Sequence, residues 1–255
     1  MAAPGNSYPR AETLAELRDN LDHVKARIEA ASRRVGRSDA IRLIPVSKTV
    51  SEARMRLAHA AGCSEFGENK VQEAQRKAQA MADLPDLRWV MVGHLQSNKA
   101  RQLAQFASEF QALDKLSVAT LLDRHLQAAG RSMDVLVQVN TSDEASKYGL
   151  PPDQVAAFVR QLPVFSSLRV RGLMTLALLS PDPEQVRSCF VRLRELRERL
   201  RQDAPDGIAM HELSMGMSGD FELAVEEGAT TVRVGQAVFG ARALPDSYYW
   251  PVAPA

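Results

Sequence analysis

Eight short apolar runs alternate with stretches of helical periodicity along this chain, and that alternation limits its possible folds more than any other feature. The runs are "IRLIPVS", "SEFGE", "RWVMVG", "SEFQAL", "MDVLVQVN", "LRVRGLMTL", "MHELSMG" and "TTVRVG". Between them lie segments of about 10 to 20 residues with apolar positions recurring at 3.6-residue spacing, among them 51–61, 71–81 and 184–200. Strands separated by helices must run parallel, because each crossover returns the chain to the same edge. Strands covered on both faces read as near-continuous apolar runs, as "VLVQV" and "WVMV" do. Eight such units in 255 residues predict a closed (β/α)8 TIM barrel. An open doubly wound sheet is the alternative.

One helix precedes the barrel. Thr13 and Glu16 form a capping-box signal, Gly36 is a stop, and the predicted helix covers about residues 13–36 ahead of a barrel at about 40–242. Its seam runs Leu14, Leu17, Leu21, Val24, Ile28, Ala31 and Val35, which reads as a helix packing on its own domain rather than a coiled coil. No linker divides the chain, so a single domain over residues 1–255 is expected. A net charge of +1 gives no broad attraction to nucleic acid or to an anionic membrane. Cys63 and Cys189 lack metal-type spacing, no metal site is expected, and no run is long and apolar enough for a membrane span. With no signal core at the N-terminus, these features point to a cytoplasmic protein.

In such a barrel the chemistry sits at the C-terminal ends of the strands. Polar residues end nearly every run: Lys48, Glu68-Asn69, Gly93-His94, Asn140-Thr141, Met174-Thr175, Ser214 to Ser218, and Arg233 to Gly235. Lys48 reads either as a strand-end cation reaching water or as an amine set to form a Schiff base. "LSMGMSGD" and "VRVGQAVFG" supply hydroxyls and glycines ahead of helical turns, after strands 7 and 8, where this fold commonly keeps a phosphate. As plain turn residues those glycines need no ligand. Arg233 alternates with Val232 and Val234, so the valines face the helices and the guanidinium faces the barrel mouth. Buried there, it needs either a neighbouring carboxylate or an acceptor on a ligand. A reactive lysine with a phosphate cradle points to pyridoxal phosphate (PLP) or to a lysine-dependent aldolase acting on a phosphorylated sugar.

Seven ordered motifs carry a resemblance: "VSKT", "FGENKVQEA", "VGHLQSNK", "QVNTSDEASKYGL", "RGLMT", "LSMGMSGDFELAVEEG" and "TVRVGQAVFGAR". They span about two hundred residues, and only the N-terminal helix and the final segment lie outside them. The sequence resembles the pyridoxal phosphate homeostasis proteins, single-domain relatives of the alanine racemase barrel. The resemblance implies that Lys48 carries PLP as an internal aldimine and that Ser214, Gly235 and Gln236 hold the phosphate. It also implies that Arg233 faces the pyridine nitrogen and that Asn69 lies beside the ring. That family usually has Thr or Ser where this chain has Gln236, so a backbone contact to phosphate survives and a hydroxyl contact does not.

A cation at the pyridine nitrogen disfavours ring protonation and weakens the electron sink that PLP catalysis uses. Racemisation also needs acid–base groups on both faces of the substrate carbon. His94, Lys147, Tyr248 and Tyr249 are the candidates for a second base. For His94 the plain alternative is a bond that orients a loop, for Lys147 a loop cation near water, and for the tail tyrosines surface packing. Fifteen residues follow Gly240, too few for the second domain of a two-domain racemase. The expected function is therefore PLP homeostasis or cofactor supply without efficient catalysis, in a monomer whose partners are PLP and PLP-dependent apoenzymes. A PLP-dependent amino-acid racemase is the alternative.

Overall fold

The computed structural model describes residues 8–144 and 147–241 of the chain. Eight parallel strands form one sheet in the order β1-β8-β7-β6-β5-β4-β3-β2. They are β1 (Arg42–Pro45), β2 (Glu65–Glu68), β3 (Arg88–Met91), β4 (Glu109–Leu113), β5 (Met133–Gln138), β6 (Leu168–Met174), β7 (Glu212–Ser214) and β8 (Thr231–Val234). Each lies within one of the eight apolar runs. β1 pairs with β8 along four residues, and a single bridge, Val46 with Gly67, joins it to β2. The first and last strands are therefore neighbours, and the sheet is a barrel rather than an open doubly wound sheet.

The helices coat this barrel: α1 (Leu14–Arg34), α2 (Glu52–Ala60), α3 (Val71–Ala80), α4 (Ala100–Phe106), α5 (Leu116–Ala128), α6 (Val155–Val159), α7 (Pro183–Asp203), α8 (Phe221–Glu226) and α9 (Gln236–Phe239). α1 starts where its capping box predicts. The Thr13 hydroxyl accepts the Glu16 N–H at 3.3 Å, and the Glu16 carboxylate accepts the Thr13 N–H at 2.9 Å. Leu17, Leu21, Val24, Ile28 and Ala31 are buried against α2, α8 and α9, while Val35 at the seam's end is exposed. At about 1.5–3 kcal/mol for each large side chain, that face is enough to hold the helix to the barrel wall.

Several strands stop short of their apolar runs. β7 keeps only Glu212–Ser214, because Gly216 takes a φ of +93° and turns the chain out of the ladder. Gly216 also has no room for a side chain, since a Cβ there would lie 2.7 Å from Ala224 Cβ and 2.8 Å from Phe221 Cα.

Between β1 and β2 the backbone ladder is nearly absent, and side chains supply the closure. Arg42 of β1 bonds both carboxylate oxygens of Glu65 on β2 and reaches Glu109 of β4 at 2.7 Å. Burial opposes the charge on Arg42, but its bonds to Glu65 and the nearby Glu109 outweigh that cost and hold it firmly protonated. Arg42→Met should strand two carboxylates at the seam and destabilise the protein by about 3 kcal/mol. Urea unfolding of the variant beside the wild type measures this.

Candidate functional site

Lys48 lies just past β1 at the C-terminal face of the barrel and is buried, with 3% of its surface exposed. It sits second in a four-residue turn closed by the Val50 N–H donating to the Ser47 carbonyl at 2.9 Å. A cavity of about 120 Å³ opens beside it, lined by Lys48, Thr49, Arg54, Gly235 and Gln236 among others. The structure thus brings together the lysine of the first strand end and the glycine turn of the last, as strand order requires, since β1 and β8 are neighbours.

The turn after β8 is braced from two sides. The Ala237 N–H donates to the Ser218 hydroxyl at 3.2 Å, which ties the loop after β7 to the start of α9. From the other side, the Arg54 guanidinium donates to the Ala11 and Phe239 carbonyls, and the Ala241 N–H donates to the Tyr8 carbonyl at 2.8 Å. The Tyr8 hydroxyl reaches the Ser218 carbonyl at 3.0 Å. The segment ahead of α1 therefore serves as a strap behind the cradle. Nothing local in the sequence signals it, because Tyr8 and Ala11 meet partners more than two hundred residues away.

Arg233 points inward as its alternation predicts, and only 3% of it is exposed. No carboxylate pairs with it directly among the described residues. It donates instead to the Ser214 hydroxyl at 2.6 Å and to the Thr175 carbonyl at 2.8 Å. Burial pushes its pKa down to about 10, with the partly buried Asp220 carboxyl acting the other way, so it remains cationic at neutral pH.

Ser214 in turn donates to the Gln111 side-chain oxygen at 2.7 Å, and the Gln111 amide donates to Glu109 at 2.6 Å. Glu109 is the carboxylate already held by Arg42. A relay of hydrogen bonds thus crosses the barrel interior from Glu109 to Arg233, every bond oriented the same way, and such chains reinforce one another. Gln111 was not singled out by sequence. Its only signal was a polar residue inside the apolar run "SEFQAL". The Ser214 hydroxyl is committed to this relay. The hydroxyl that meets the α9 turn belongs to Ser218.

Asn69 follows β2 and packs its backbone on Gly93, where a Cβ would fall 2.3 Å from the Asn69 carbonyl oxygen. His94, next in the chain, stacks on Tyr148 with ring centroids 3.9 Å apart and planes 11° from parallel. Its Nδ1 lies 3.9 Å from the Asp114 carboxylate, a strand-4 end that the sequence reading passed over. Burial lowers the His94 pKa and raises that of Asp114, so both charged forms are disfavoured there. Lys147 donates to the Ala177 carbonyl at 2.8 Å and pairs with Glu144 at 2.5 Å, which makes it a clamp on its own loop. Tyr248 and Tyr249 lie outside the described residues.

Residues 20–243 match the family model of the alanine racemase N-terminal domain. The pyridoxal phosphate homeostasis protein of Pseudomonas aeruginosa is 40% identical over 230 residues, covering 90% of this chain and 97% of that protein. The protein of the same name from Escherichia coli is 39% identical over 233 residues, covering 89% and 97%. Among solved structures, PipY of Synechococcus elongatus with PLP bound is 37% identical, with a TM-score of 0.78 over 88% of this chain and all of that one. Alanine racemase from Streptomyces coelicolor shares the fold at 20% identity and a TM-score of 0.68, with 59% of its own length covered.

The two hydroxyls separate in a stability measurement. Ser214→Ala leaves a buried guanidinium N–H and the Gln111 oxygen without their partner, and should cost about 2 kcal/mol in urea unfolding. Ser218→Ala, at a half-buried turn, should cost less than about 1 kcal/mol.

Proposed function

This chain belongs to the alanine racemase N-terminal domain family and, within it, to the pyridoxal phosphate homeostasis proteins, and from that membership we propose that it binds PLP through Lys48 and serves cofactor supply rather than turnover. The placement of Lys48 and Arg233 carries this reading. A buried amine borders the cavity at the end of β1, and a wholly buried cation stands inside the barrel two residues before the Gly235 turn. The residues present fit the cofactor. Lys48, Gly235 and Gln236 line one cavity, and the Ser218 hydroxyl accepts from the Ala237 N–H at the start of the adjoining α9 turn.

PLP when bound supplies an electrophilic aldehyde and a pyridine ring that acts as an electron sink when its nitrogen is protonated. The chain's own groups do the rest. Lys48 would provide the nucleophilic amine, and Ser214, Gly235 and Gln236, with Ser218 beside the α9 turn, would hold the phosphate. Arg233 is fixed in orientation by Ser214, which Gln111 and Glu109 hold in turn. A fixed cation facing the pyridine nitrogen disfavours its protonation. That weakens the sink a racemase needs and favours a protein that holds the cofactor and gives it up. Asn69, at the neighbouring strand end, would lie beside the ring. We place the whole function in one barrel domain of a cytoplasmic monomer, with PLP-dependent apoenzymes receiving the cofactor. Among the described residues, no helix is long and apolar enough to cross a membrane.

A second base for racemisation finds little support. Lys147 is held by Glu144 and Ala177, and His94 is stacked on Tyr148, so both serve the loops they join.

Purified protein mixed with PLP should turn yellow, and borohydride should fix the cofactor to the Lys48 peptide. Lys48→Ala should neither colour nor retain label. A colourless wild type overturns the PLP reading, and robust turnover of a chiral amino acid would restore the racemase alternative. Gln236→Thr adds a hydroxyl at the phosphate turn and should tighten PLP binding about tenfold, as one hydrogen bond to a charged group allows. Equilibrium titration followed by absorbance measures it.

A further inference from the structure

The turn that carries Lys48 is strained and is held from behind by a buried charge cluster. Thr49, third in the turn, has a φ of +67°, which a β-branched residue rarely adopts. Its N–H donates to the Glu73 carboxylate of α3 at 2.8 Å. On the other side of Lys48, the Ser47 hydroxyl donates to Glu68 at 2.6 Å. The Ser47 carbonyl accepts from Lys77 Nζ at 2.7 Å.

Lys77 unites these contacts. Its side chain has no solvent exposure, and its amine meets Glu68 at 2.7 Å and Glu73 at 2.8 Å. One buried ammonium therefore holds both residues that flank the reactive lysine, one through its carbonyl and the other through a shared carboxylate. Past the end of β1, Ser47 bonds the Lys77–Glu68 cluster while Lys48 lines the cavity. The cluster lies on the opposite side of the strand from the cofactor site and acts through the backbone.

A purely structural role does not account for this arrangement. A buried ion pair is readily replaced by packed apolar residues without loss of stability. Glu68 also keeps a second buried oxygen with no hydrogen-bond partner among the described residues. Fully satisfied clusters stabilise, whereas incomplete ones and left-handed β-branched residues concentrate where position matters more than stability.

We propose that Lys77, Glu68 and Glu73 are positioning residues that hold the Ser47–Val50 turn and so aim the Lys48 amine. The proposal rests on the PLP reading above, and its test separates the two. Capture of PLP by cofactor-free protein is followed by absorbance, with borohydride quenching and quantification of the labelled Lys48 peptide. In parallel, acetic anhydride labelling of the cofactor-free protein reports the reactivity of Lys48 against surface lysines.

Glu73→Leu removes the acceptor of the Thr49 amide and should slow both reactions at Lys48 at least about tenfold. Glu73→Gln keeps an acceptor and should stay within about twofold of wild type. Lys77→Met alone strands Glu68, so it is paired with Glu68→Gln, which leaves no buried charge there. The double variant should melt within about 5 °C of wild type yet capture PLP at least about tenfold more slowly. Wild-type rates in both Glu73→Leu and the double variant would reduce the cluster to a structural ion pair and overturn the proposal. Failure of the wild type itself to take PLP would sink the cofactor reading instead, while the acetylation rates would still decide the role of Lys77.

Discussion

Arg42 enters the barrel from β1 and meets carboxylates from β2 and β4, so three strands converge on one guanidinium at the seam where the backbone ladder is thinnest. Closure matters for more than stability. It makes β1 the neighbour of β2 as well as of β8, so the end of β2 stands beside Lys48 while the β1–β8 ladder sets Lys48 and the Gly235 turn at one cavity. The same Glu109 that answers Arg42 begins the relay through Gln111 and Ser214 to Arg233. The ion pair that shuts the barrel is thus also the anchor of the cation at the site.

Two of the buried cations near the site, Lys77 and Arg233, are handled differently, and the difference follows from their tasks. Lys77 has carboxylates in direct contact and serves as a brace. Among the described residues Arg233 donates only to a hydroxyl and a carbonyl, with its nearest countercharges one or two groups away. A guanidinium paired directly with a carboxylate would present little field to a ligand. Held by neutral groups, it keeps its charge outward-acting while remaining fixed in direction.

Much of the architecture was legible because it rests on local pattern. Period-two and period-3.6 apolar spacing located all eight strands, and the capping box placed the start of α1. The inward aim of Arg233 followed from alternation with two valines. The strand ends were harder to place. Gly216 ends β7 early through a left-handed turn, and the sequence marks a glycine there without saying which way the chain will go. The assignment of hydroxyls in "LSMGMSGD" also needed coordinates, because Ser214 and Ser218 are four residues apart and only the turn between them decides which one meets α9.

Sequence by itself determined the fold class, the parallel strand order, the lysine at the end of the first strand and the glycine-rich turns, because each is written in side-chain periodicity or in a short motif. Tertiary structure decided what holds those parts in place. Lys77 looks like a solvated residue in "VQEAQRKAQA", and its burial arises only where α3 crosses behind the end of β1. Gln111, Arg54 and the strap at Tyr8 gain their roles from partners distant in the chain. Hydrogen bonds and buried charges depend on which distant groups folding brings within 3 Å, and no local pattern encodes that.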